Sequence, residues 1–109
     1  MKIKIKIFLF LCLFTSQAFS ANDGVITSIA FAGENMSSHP DVVQIQIEGG
    51  YEFGECSNVH AGIRKSDEHL ISAALSAYAM GKPIKVWLNE SDSYFSSQKR
   101  CVITMITLS

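Results

Sequence analysis

Five side chains of the sequence have the chemistry for acid–base work or metal binding: His39, Asp41, Glu55, His60 and His69. Their spacing argues against both. His39-Pro40-Asp41 offers two ligands within a loop, and a closed zinc site needs four, a catalytic one three plus water. His60 follows Cys56 by four residues, the separation of an imaginable thiolate–imidazole pair. A disulfide at Cys56 would consume that thiolate, so His60 reads as a hydrogen-bonded structural histidine. His69 falls in the first turn of a helix, where solvation is expected. There is no GxSxG elbow and no phosphate-cradling glycine loop. We therefore expect no catalytic residue, no metal ligand, no cofactor and no enzyme activity.

The aromatic residues are better suited to binding. Trp87 alternates with Ile84, Val86 and Leu88, so it lies on the opposite face of its strand; Tyr94 and Phe95 follow in a polar loop. Exposed aromatic rings suit carbohydrate stacking or protein contact, since they bring large area at low entropy cost. Trp87, Tyr94 and Phe95 are therefore the candidate ligand-binding residues. The alternative places Trp87 under the loop 89–98 as a second small core. Gln44, Gln46 and Glu48 form a polar strand face that either hydrogen-bonds a sugar or is simply solvated. Asn35-Met36-Ser37 and Asn89-Glu90-Ser91 match the N-glycosylation pattern, and we assign them no role.

The N-terminus sets the compartment. Lys2, Lys4 and Lys6 precede the apolar run Ile7 to Phe14, and small residues Ala18 and Ser20 flank Phe19. This is the three-part order of a cleavable secretory signal, with the cut expected after Ser20. The run is about half the ~20 residues a spanning helix needs, so no membrane anchor is expected. Cys12 follows a bulky leucine and reads as a discarded hydrophobe. Residues 1–20 are thus a signal peptide and 21–109 a single secreted or periplasmic domain. Without the three signal lysines, six Lys+Arg face ten Asp+Glu, a net charge of −4. That balance argues against nucleic acid as a partner. Cys56 and Cys101 remain and should pair outside the cytoplasm. A small domain with a modest core gains from that staple.

The elements that position these residues follow from periodicity. Val25, Thr27, Ile29 and Phe31 alternate along the opening segment. Val43, Ile45 and Ile47 alternate with Gln44, Gln46 and Glu48, which predicts an antiparallel strand with one wet face. Gly49-Gly50 predicts a turn, and Tyr51 and Phe53 predict a return strand carrying Cys56 into the sheet, with Val59 to Ile63 extending or following it. Ser66 as N-cap, the apolar stripe Leu70, Ile71, Ala74, Leu75 and Tyr78, and Gly81 followed by Pro83 predict a helix over about 67–80. Two strands follow, from Ile84 and from Cys101, the latter with apolar residues on both faces. The fold class is α+β: a small curved antiparallel sheet or partly open OB-like barrel of about five strands with one helix.

That order, with Ala77-Tyr78-Ala79-Met80-Gly81-Lys82-Pro83-Ile84-Lys85-Val86, the opening Gly24-Val25-Ile26-Thr27 and the two cysteines, resembles the binding subunits of pentameric bacterial toxins. It looks most like the subtilase-cytotoxin and pertussis-like branch, and resembles small secreted bacterial domains without assigned function as well. The resemblance spans most of residues 24–108. It implies an OB-like barrel, assembly into a homo-oligomeric ring and recognition of a cell-surface glycan. The chain departs from that family in lacking its longer aromatic- and proline-rich loops and some of its cysteines, and no sugar-contacting position carries over. The expected function is an exported non-enzymatic binding module. A small periplasmic module that binds an envelope protein or inhibits an enzyme is the alternative.

Overall fold

A computed structural model describes residues 22–95 and 97–108. The expected signal peptide, including Cys12, lies outside the described residues. The elements run β1 (Asp23–Phe31), β2 (Val42–Ile47), β3 (Ala61–Arg64), α1 (Glu68–Met80), β4 (Pro83–Ser93) and β5 (Cys101–Leu108). The strands close into a ring in the order β1-β2-β3-β5-β4 and back to β1. The fold is the α+β arrangement expected, a curved sheet with one helix between the third and fourth strands. Four of its seams are antiparallel. The β3–β5 seam is parallel and rests on one pair, Gly62 with Val102, so the sheet is mixed.

Alternation fills the interior. Val43, Ile45 and Ile47 of β2 and Ile84, Val86 and Leu88 of β4 are all buried, together with Ile63 and Ile103. At about 25 cal/mol per Å² of apolar surface removed from water, such side chains supply most of the folding drive. β1 departs from simple alternation. Its pairing with β2 shifts between Ile26 and Ser28. The extra residue, Thr27, bulges and turns Ile26 into the core in place of Val25, and Phe31 is left exposed. β5 is buried on both faces only at Cys101, Val102 and Ile103; Met105 and Leu108 are exposed.

The helix buries Leu70, Ala74 and Ala77. The predicted stripe is wider than the surface it covers, since Leu75 and Tyr78 lie on its exposed flank. Asp67 rather than Ser66 occupies the N-cap, and no side chain caps the first turn. The C-terminal end is as expected. Gly81 is left-handed (φ 65°), its N–H donates to the Tyr78 carbonyl, and the Lys82 N–H donates to the Ala77 carbonyl. This is a Schellman stop.

The segment after Gly49-Gly50 corrects the sequence reading. The return strand begins at Ala61, and residues 51–60 form an irregular loop. Tyr51 is nonetheless buried, because its hydroxyl donates to the Ile45 carbonyl at 2.8 Å. Its side chain joins the main core from a loop instead of from a strand. Burial, with a smaller contribution from Tyr94, pushes its pKa above the ordinary phenol value. Cys56 thus enters from a loop and bonds Cys101 at the start of β5, with Cα atoms 5.6 Å apart, inside the range a disulfide requires.

Candidate functional site

The polar face of β2 is where side chains from three elements meet. Gln44 pairs with Gly62 of β3, and Gly62 pairs with Val102 of β5, so the three positions form one row across the sheet. The middle of that row has no side chain. Tyr94 fills the space: a Cβ on Gly62 would sit 2.5 Å from Tyr94 Cε1 and 2.8 Å from Val42 Cγ1. Tyr94, Val42 and Val102 form a second small apolar cluster outside the main core, with Phe95 packed against it. A second core under the last loop does exist, and Tyr94 rather than Trp87 builds it. Burial raises the Tyr94 pKa, an effect that the Arg100 cation opposes.

Polar groups converge around this cluster. The Tyr94 hydroxyl donates to Gln44 Oε1 at 3.0 Å, and Arg100 Nη1 donates to the same oxygen at 2.6 Å. Arg100 Nε donates to Gln98 Oε1 at 3.0 Å, and the guanidinium carbon lies 4.0 Å from the Phe95 ring centroid. Such stacking is worth about 0.5–2 kcal/mol. His39 from the loop 32–41 also approaches Phe95, with ring centroids 5.4 Å apart. The loop between β1 and β2 and the loop between β4 and β5 therefore meet over β2.

Next to Arg100 is an open groove of about 410 Å³, lined by Glu55, Ser57, Asn58 and His60 from the loop before β3 and by Gln98, Lys99 and Arg100 from the loop before β5. The disulfide sets its width. Cys56 precedes Ser57 and Cys101 follows Arg100, and the Ser57 N–H donates to the Lys99 carbonyl at 2.6 Å. His60 Nε2 is 3.0 Å from Gln46 Nε2. An amide NH2 only donates, so the imidazole nitrogen accepts, as a neutral ring protonated at Nδ1 can. Burial lowers the His60 pKa, and the charges of Arg100 and His39 lower it further. The pocket is polar, hydrogen-bonding and pre-arranged.

The remaining sequence candidates are dispersed. Trp87 is 37% exposed, opposite Met105 on β5, with Lys85 Nζ 5.4 Å from its ring. It stands on β4 beyond the register break that separates it from Tyr94 and Phe95. Tyr94 is buried and Phe95 half-buried, so these three residues do not form one surface. His39 and Asp41 do not converge: His39 is buried against Phe95 and Tyr94 with Ser38 Oγ at 2.8 Å from its Nδ1, and Asp41 pairs with Lys65. His69 is exposed. Among the described residues no cluster of three or more His, Cys, Asp or Glu could hold a metal ion. Also among them, no helix is long and apolar enough to cross a membrane.

Arg100, Gln98 and Ser57 are the site residues that sequence reasoning missed. The signal was available: if Cys56 and Cys101 pair, their chain neighbours must face one another. No family model, no curated protein and no solved structure matches this chain.

Proposed function

We propose that the chain is an exported, non-enzymatic binding module whose ligand face is the outer side of β2 with the β1–β2, β2–β3 and β4–β5 loops. The observation that carries this reading is the convergence of Gln44, Gln46, His60, Phe95 and Arg100 beside a groove pinned open by a disulfide. Fixed hydrogen-bonding groups beside a half-buried ring suit a hydroxyl-rich ligand, and strand β2 with the β1–β2 and β4–β5 loops is where OB-like rings take oligosaccharides and oligonucleotides. The acidic balance favours the former, and a cell-surface glycan is the ligand we propose. The disulfide supports an oxidising compartment, and export follows from the N-terminal reading.

The test is binding of the secreted chain to a glycan array, repeated with Gln46→Ala and Phe95→Ala. Reproducible hits that both variants weaken support the reading; no glycan bound by the native chain overturns it.

One observation favours a second reading. Trp87 and Met105 are exposed and directly cross-strand, and paired exposed apolar side chains suit a protein contact. The partner is then a second copy of the chain or an envelope protein. Sedimentation of the pure protein separates these from a monomer. A Trp87→Glu variant that stays monomeric while the native chain assembles identifies the surface as self-complementary.

A further inference from the structure

Among the described residues Arg100 is a cation without an ion-pair partner. The ion pairs among the described residues engage Arg64, Lys65 and Lys99. Arg100 is held instead by two neutral amide oxygens, Gln44 Oε1 and Gln98 Oε1, and by the Phe95 ring. Those contacts take two of its five N–H donors and fix the plane of the fork. They neutralise none of its charge. Half-buried beside the groove, that charge is less screened than one on an open surface. One group in the same groove complements it. The Ser57 hydroxyl accepts from the N–H groups of Val59 and His60, so its own proton is free to be donated outward. Lys99 is already balanced by Glu90 at 3.7 Å, so Arg100 holds the uncompensated charge.

We propose that the groove beside Arg100 binds the oxyanion group of its ligand, a carboxylate, sulfate or phosphate, with the Arg100 fork as anchor and the Ser57 hydroxyl as second donor. This deepens the binding-module reading and rests on it. A pre-arranged guanidinium binds an oxyanion through two parallel charge-assisted hydrogen bonds, which neutral sugar hydroxyls cannot match. Glu55 also lines the groove and its carboxylate repels further negative charge, so a ligand with one anionic group fits better than a polyanion.

The test uses the labelled protein in solution. Sodium sulfate, phosphate and acetate are titrated in turn at constant ionic strength set with chloride, and the Arg100 Nε–Hε NMR signal is followed. A saturable shift is expected with at least one of the three. Arg100→Gln should weaken that binding at least tenfold, Arg100→Lys should weaken it less, and Lys82→Gln, remote in sequence and exposed, should leave it unchanged. Retained disulfide and circular dichroism establish that each variant folds. If Arg100→Gln does not, the native signal and Arg100→Lys decide the matter. No saturable shift, or one that Arg100→Gln leaves intact, overturns the proposal. Galactose and N-acetylglucosamine are titrated in parallel. Groove signals that respond to these neutral sugars but not to the anions would sink the oxyanion assignment and leave the binding module standing, whereas silence in every arm would count against both.

Discussion

Gly62 is the residue on which the site's geometry turns. Its missing Cβ lets the Tyr94 ring come close against β3 and reach Gln44, which in turn receives Arg100. Gly62→Ala should therefore cost about 1–3 kcal/mol, the usual range for overpacking. In a Tyr94→Leu background the same change should cost less, because the ring it strikes is gone and only the Val42 contact remains. Urea unfolding of the four proteins measures this coupling; additive costs would show that Tyr94 is not what the glycine admits. His60 makes a separate claim about pH. Its folded-state pKa lies below the ordinary 6.5, because burial and the neighbouring Arg100 and His39 disfavour its charged form. The folded protein then binds fewer protons than the unfolded one once the pH falls below that ordinary value. Its contribution to stability is complete above about pH 7 and is lost on acidification toward the lowered pKa. Stability of the native chain should fall between about pH 7 and 5 more steeply than that of His60→Gln. Equal slopes would remove His60 from the account.

At the scale of elements, the helix end shows how sequence punctuation becomes structure. Gly81 adopts φ 65°, and a Cβ there would meet nothing within 4 Å. Gly81→Ala should thus cost only the backbone term, about 1 kcal/mol. Gly81→Asn should cost less, since asparagine tolerates that conformation; urea midpoints of the two variants distinguish them. This stop, the alternation in β2 and β4 and the cysteine pairing were all legible in the sequence. Each is a local rule with a single physical cause. Two features were not. Tyr51 and Phe53 alternate as a strand would, yet Tyr51 obeys a tertiary demand, a hydroxyl satisfied by the Ile45 carbonyl, and β3 starts ten residues later. In β1 the bulge at Thr27 reverses which residues face inward, and the register of the partner strand decides that. The site was legible in part: Gln44, Gln46 and Phe95 were visible as polar or aromatic candidates. For Arg100 the cysteine pairing indicated the place, opposite Ser57, but not the role, which depends on neutral partners brought from β2 and the last loop.

For the molecule as a whole, the seams of the ring are unequal. β4 and β5 share a long antiparallel ladder and β1 and β2 nearly as long a one, whereas β3 meets β5 through the single pair Gly62–Val102. A parallel seam of one pair has few backbone bonds to lose on opening, so the ring should part there first. The Cys56–Cys101 bond lies beside it, Cys101 being the residue before Val102 and fully buried. The disulfide therefore acts on two levels. It removes chain entropy from the unfolded state, at most about 4 kcal/mol for a separation of 45 residues. It also holds shut the seam over which the groove is built. Hydrogen exchange separates the two effects. A purely unfolded-state role would lower protection of globally exchanging amides on reduction, by a uniform factor throughout the ring. A seam role adds local opening, so amides at 57–63 and 98–103 should lose protection well beyond those of β1 and of β4 near Val86. The double variant Cys56→Ala with Cys101→Ala should behave as the reduced protein does. The Arg100 side-chain signal should broaden in both, because the wall that carries Ser57 is no longer tethered to the strand that carries Arg100. A uniform loss would assign the bond to stability alone and leave the groove's shape to the hydrogen bonds of Gln44.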